Sequence, residues 1–167
     1  LPEYTQTIER LYRIRKRKHE PALPLLISSS DHIKKYATPN QTALQLALHF
    51  WPGPLTLILP SVDKGAPVAL RVPNTPLLKP VLVKAGGCLF TSGSILSGQS
   101  PAITAQEAAA LFGDQVALIL DGGASLYGLP STIIDCTKHP PLLVRRGAVH
   151  EETINELLGN TTLDFIR

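Results

Sequence analysis

The chain of 167 residues is long enough for one domain with a substantial core, and at 44% hydrophobic and 17% charged it has neither a disordered nor a membrane-spanning composition. No apolar run reaches the length needed to cross a bilayer and the first residues lack the pattern of a signal peptide, so no membrane partner is expected. The net charge of +3 is modest, and Cys88 and Cys136 are too few and too isolated for a disulfide framework or a paired metal motif, which makes a reduced, cytoplasmic setting the expectation.

The first predicted element is a helix over 2–18. Ile8, Leu11, Tyr12 and Ile14 mark its apolar face, and Arg13, Arg15, Lys16, Arg17 and Lys18 gather at its C-terminal end, where the dipole favours cations. Two readings fit that run: a solvated helix end, or a cationic cluster facing an anion such as phosphate. Pro21 and Pro24 break the pattern before a short strand over 23–28. Ser30 or Asp31 is expected to cap a brief helix through Tyr36, and Thr38-Pro39-Asn40 starts an apolar helix running to Phe50. The run Trp51-Pro52-Gly53-Pro54 ends that helix, since a residue ahead of proline is pushed out of the α region and glycine takes angles others avoid. A buried strand over 55–59, bounded by Pro54 and Pro60, follows it.

Residues 61–67 read as a loop, 68–72 as a strand and 76–84 as a short helix. Arg71 in an apolar strand is either at an exposed end or aimed into a pocket. Gly86-Gly87 precede a strand over 88–91 that runs into Ser92-Gly93-Ser94-Ile95-Leu96-Ser97-Gly98, a loop of hydroxyls and glycines able to approach an anion closely, though it lacks a Walker lysine. Thr104 caps an alanine-rich helix over 105–112. Strands are predicted over 116–120, 133–136 and 142–144, with a turn at Asp121-Gly122-Gly123 and a last helix over 150–158. Alternating strands and helices without repeats predict an α/β fold, one sheet with helices packed on it, whose ligands collect at strand ends.

Taken together, these segments resemble the YrdC-like family, the threonylcarbamoyl-adenylate synthases of tRNA modification. The similarity is ordered along nearly the whole chain. Arg15-Lys16-Arg17 resembles the family's Lys-x-Arg segment with arginine in the lysine place, and Trp51-Pro52-Gly53-Pro54-Leu55-Thr56 matches its most recognisable run. Arg71-Val72-Pro73 fits its strand arginine, Ser92 to Gly98 its Ser-Ala-Asn-x-Ser-Gly loop, Gly128 to Asp135 its Gly-x-x-Ser-Thr-Ile-x-Asp segment and Arg145-Arg146-Gly147-Ala148 its closing Arg-x-Gly-Ala.

The resemblance implies one YrdC-like domain over 1–167: an open, twisted mixed β-sheet with helices packed on it and a basic concave groove. It implies a nucleotidyltransferase that joins L-threonine, bicarbonate and ATP into threonylcarbamoyl-AMP and releases pyrophosphate, with magnesium travelling on the triphosphate. Arg15, Arg17, Ser94 and Arg145 would bind ATP; Arg71, Ser92 and Ser131 would bind threonine or its carboxylated form. No residue is assigned as a catalytic group and none as a metal ligand. The implied macromolecular partners are tRNA or double-stranded RNA and proteins of the same modification pathway.

Two departures stand beside it. The chain opens at Leu1 and holds no methionine, as expected of a fragment or of a sequence with residues missing, and the family's opening strand and Pro-Thr-Asp-Thr-x-Tyr-Gly-Leu loop has no match in residues 1–10; a real absence is expected to leave synthesis weak or lost. The phosphate loop has Ser94 in the asparagine place and one residue more than usual before Ser97-Gly98. Two alternatives remain at this level: a noncatalytic RNA-binding module of the same fold that uses the basic run, and the related domain of hydrogenase-maturation carbamoyltransferases.

Overall fold

A computed structural model describes residues 5–16, 23–96, 98–159 and 163–165. The chain divides into two compact units, one of residues 1–21 and 92–128, the other of residues 22–91 and 129–167.

Among the described residues, the second unit is built on seven strands: β1 (Leu25–Ile27), β2 (Leu55–Leu59), β3 (Val68–Arg71), β4 (Cys88–Phe90), β5 (Thr132–Asp135), β6 (Leu142–Arg145) and β7 (Asp164–Phe165). They form one mixed sheet in the order β4-β1-β3-β2-β5-β6-β7, parallel at β1–β3, β2–β5 and β6–β7 and antiparallel elsewhere. Alternation along the strands separates the two faces. Leu55, Leu57 and Leu59 join Ile27, Leu70, Val72 and Ile134 in the main core, which is closed by Ile33, Ala43, Leu46 and Ala47 of the helical segments and by Ile154. Thr56, Ala69, Arg71 and Ser131 stand at the intervening positions, and therefore on the other face.

Local chemistry explains the helices. The helix α3 (Gln41–Phe50) starts where Asn40 accepts the Ala43 N–H at 2.9 Å, as read from Thr-Pro-Asn. Ahead of it, α2 (Ile33–Tyr36) continues a 3-10 turn whose cap is Ser29 rather than the expected Ser30 or Asp31; Ser29 Oγ accepts the Asp31 N–H. Helices α4 (Leu78–Lys84) and α6 (Glu151–Leu158) complete this unit. In the other unit, α1 (Thr5–Arg15) is tied to the 3-10 turn that follows α5 (Ala105–Phe112), where Arg10 Nη2 donates to Gln115 O at 2.8 Å. Thr104 caps α5 by accepting the Glu107 N–H, and Glu107 reaches back to the Ile103 N–H, one residue ahead of the cap.

One expected strand is absent, and one strand was not expected. Residues 116–120 carry strand formers but pair with no strand; Val116, Leu118 and Leu120 are exposed, and without a ladder partner β-propensity alone does not make a strand. Strand β7 carried no signal because it spans two residues, held by pairing with β6.

Among the described residues, no helix is long and apolar enough to cross a membrane.

Candidate functional site

The corner at residues 51–54 organises the second unit. Trp51 leaves the helix with extended angles, and its indole Nε1, buried, donates to Leu55 O at 2.7 Å, so the side chain clamps the turn to the strand it starts. Gly53 is not in the left-handed region. The need for glycine is one of clearance, since a Cβ at this position would collide with the carbonyl oxygen of Phe50. Its N–H donates to Val72 O at 2.9 Å and its carbonyl accepts from Arg71 Nε at 2.9 Å. The half-buried guanidinium at the end of β3 is thereby docked on the corner, on the sheet face away from the main core. The Arg71 arginine is thus partly a structural clasp and partly presented at a strand end.

Next to the corner, Pro54 O accepts the Thr132 N–H at 3.0 Å, which brings Ser131 beside Thr56. The two hydroxyls are 2.8 Å apart, with Thr56 1% and Ser131 8% exposed. Arg145, at the end of β6, forks onto the same residue: Nε and Nη2 donate to Ser131 O at 3.0 and 2.8 Å, and Nη2 also donates to Ser131 Oγ at 3.0 Å. Glycine is again required by space at Gly147, where a Cβ would run into the backbone of Pro130 to Thr132. Ala148 N–H closes the contact onto Pro130 O at 3.0 Å. Thr132 points to the core and carries both bonds of Val149, donating to its carbonyl at 2.7 Å and accepting its N–H at 3.0 Å.

The structure therefore brings Ser131 and Arg145 into direct contact and ties Arg71 to the adjoining turn. Thr56 was assigned no role by sequence reasoning. The signal available was a hydroxyl interrupting an apolar strand, which is costly unless it is hydrogen-bonded.

The remaining expected site residues belong to the first unit. Arg15, the last residue of α1, is 6% exposed. Arg17 lies outside the described residues. Ser92 Oγ is shielded from solvent and has no hydrogen-bond partner among the described residues, an arrangement that leaves a hydroxyl for a ligand. Ser94 is exposed, and its hydroxyl donates to Ala102 O at 3.1 Å while its carbonyl accepts the Ala102 N–H. A phosphate at Ser94 has to draw that proton away from Ala102. A broad open hollow in this unit is lined by Gln99, Pro101, Ile103, Glu107 and Leu111, with no basic side chain among the described residues, the wrong lining for a triphosphate.

Away from these residues, Ser28 Oγ lies 3.0 Å from His32 Nδ1, and hydrogen bonding to Cys88, followed by burial, pushes the Tyr36 phenol up to about 12. Cys136 is buried, and desolvation, with the Asp135 charge adding to it, pushes its thiol up to about 12. Both cysteines are unpaired.

The family described as Telomere recombination (Sua5/YciO/YrdC) matches residues 2–147. The chain is 29% identical to a threonylcarbamoyl-AMP synthase of Bacillus subtilis, over 96% of this chain and 49% of the relative. It is 32% identical to one of Vibrio campbellii, over 80% of this chain and 78% of the relative. The structure of Pyrococcus abyssi Sua5 complexed with L-threonine superposes with a TM-score of 0.86 at 27% identity, covering 95% of this chain and 49% of that one. The chain thus spans about half the length of several relatives it matches. With the family match covering most of its residues and the Trp51 corner, Ser131 and Arg145 assembled as described, the chain belongs to the Sua5/YciO/YrdC family.

Proposed function

We propose that this chain makes threonylcarbamoyl-AMP from L-threonine, bicarbonate and ATP, for modification of an adenosine in tRNA. The observation that carries the reading is the Ser131 cluster: a buried hydroxyl held by Arg145 and Thr56 beside the corner on which Arg71 is docked. The P. abyssi protein that shares the fold was crystallised with L-threonine, which supports an amino-acid site in this chain.

The chemistry suits such residues. The threonine amine adds to bicarbonate with loss of water, and an oxygen of the resulting N-carboxylate (carbamate) attacks the α-phosphorus of ATP. The bond from that phosphorus to the bridging oxygen breaks, and pyrophosphate leaves. Positioning and charge neutralisation carry such a step, with no protein nucleophile required. By the family resemblance, Arg71 is assigned to the threonine carboxylate, and Ser92 and Ser131 are assigned to threonine or its carboxylated form. The same resemblance assigns Arg15, Arg17, Ser94 and Arg145 to ATP, with magnesium carried by the triphosphate; Ser94 can donate to phosphate only when its proton leaves Ala102 O. On this reading the chain works in the cytoplasm, with tRNA and pathway proteins as partners.

The test is pyrophosphate release from ATP and bicarbonate with and without L-threonine, alongside calorimetric titration of L-threonine. Threonine-dependent release is the expected result. Absence of both release and threonine binding overturns the reading, and RNA binding that falls steeply with salt would then point to the RNA-binding module.

A further inference from the structure

The hydrogen-bond inventory of Ser131 determines which way its proton points. A serine hydroxyl has one proton and two lone pairs. Arg145 can only donate, so its 3.0 Å contact occupies one lone pair of Ser131 Oγ. Distance alone leaves the 2.8 Å contact with Thr56 open as to donor. Burial decides it. Thr56 is 1% exposed, and Ser131 is the only partner of its hydroxyl among the described residues. Were Ser131 the donor, the Thr56 proton would be buried without an acceptor, which costs about 1–3 kcal/mol. With Thr56 as donor every buried group is satisfied, both lone pairs of Ser131 are filled, and its single proton is left to point out of the cluster.

We infer that Thr56 is a positioning residue that locks Ser131 as an obligatory hydrogen-bond donor, so that Ser131 faces an acceptor oxygen of the substrate, in a carboxylate or carbamate, and not its ammonium group. This rests on the proposed reaction and adds to it a direction for the substrate. Arg145 reinforces the polarity, since a guanidinium on the same oxygen makes the hydroxyl a stronger donor and repels a cationic group. Thr56 itself, sealed within the sheet, acts only through Ser131.

The test compares Thr56→Val, Thr56→Ser, Ser131→Ala and the Thr56→Val/Ser131→Ala double variant in threonine-dependent pyrophosphate release, with urea midpoints recorded for each. Valine keeps the shape of threonine and removes the donor; serine restores it. The expected result is a threonine KM about tenfold higher for Thr56→Val, one oriented hydrogen bond's worth, with the ATP KM within about twofold and recovery in Thr56→Ser. In the Ser131→Ala background the valine change should add nothing to the threonine KM, a coupling that a purely structural role would not produce. A Thr56→Val variant with wild-type threonine KM, or one whose effect persists in full without Ser131, overturns the inference alone. A wild-type chain without threonine-dependent release overturns the proposed reaction and this inference with it.

Discussion

Gly53→Ala is the most direct perturbation of the corner on which the site is built. The added Cβ meets the Phe50 carbonyl oxygen, part of the backbone at the end of α3, so the clash cannot be relieved by rotating a side chain. The corner has to move, and Gly53 is held on both sides by 2.9 Å bonds to Val72 O and from Arg71 Nε. Losing the first costs about 1 kcal/mol, losing the second about 1.5 kcal/mol before solvent screening of the half-exposed guanidinium, and residual overpacking about 1 kcal/mol more. A total near 2–4 kcal/mol follows, equivalent to a fall of about 1–2 M in the urea midpoint at an unchanged slope. Because the displaced carbonyl is what docks Arg71, the threonine KM should rise as well. Equilibrium urea unfolding and threonine titration of the release assay read the two effects separately. A midpoint within about 0.3 M of wild type, with an unaltered threonine KM, refutes the clearance reasoning and the link from corner to Arg71.

Arg71→Lys keeps the charge but not the planar fork, and should raise the threonine KM by about tenfold while leaving the ATP KM within about twofold; equal threonine dependence in the two proteins removes Arg71 from the threonine site. Thr132→Val strips both Val149 backbone groups of their shared buried partner, for an expected loss of about 2–4 kcal/mol seen as a melting temperature lower by about 5 °C or more, and a melting curve that overlays wild type contradicts this role. Cys136 predicts an alkaline dependence: its thiol is neutral in both states below its ordinary value of 9.0, whereas above it the unfolded chain ionises while the folded thiol, raised to about 12, does not. Stability is therefore lost as pH rises across that window, at up to about 1.4 kcal/mol per pH unit. Urea unfolding at pH 8.5 and 10.5 should show wild type losing about 2 kcal/mol more than Cys136→Ala, and parallel losses would exclude this thiol as the cause.

Much of the architecture was legible in the residues because local chemistry and periodicity set it. Prolines bracket β2 and the alternation inside it separates core leucines from Thr56; Asn40 and Thr104 announce α3 and α5 by side chains that accept the orphan N–H groups. The strand arginine was legible as a candidate for the same reason, a charged group in a buried strand requiring a partner or a ligand, whereas the serine ahead of β5 was singled out by the family resemblance.

What only the tertiary structure decided is who that partner is. Thr56 and Ser131 are 75 positions apart, and the parallel pairing of β2 with β5 makes them neighbours. Arg145 reaches Ser131 because β6 returns antiparallel beside β5 and Gly147 leaves room for the backbone to close. The same dependence on distant pairing explains why residues 116–120, strand-like in composition, have no place in the ladder, while two residues of β7 do. Propensity and capping act over a few residues and are written into local sequence. The direction of the Ser131 proton depends on side chains from β2, β6 and the residue just ahead of β5, and on burial that only the folded chain supplies.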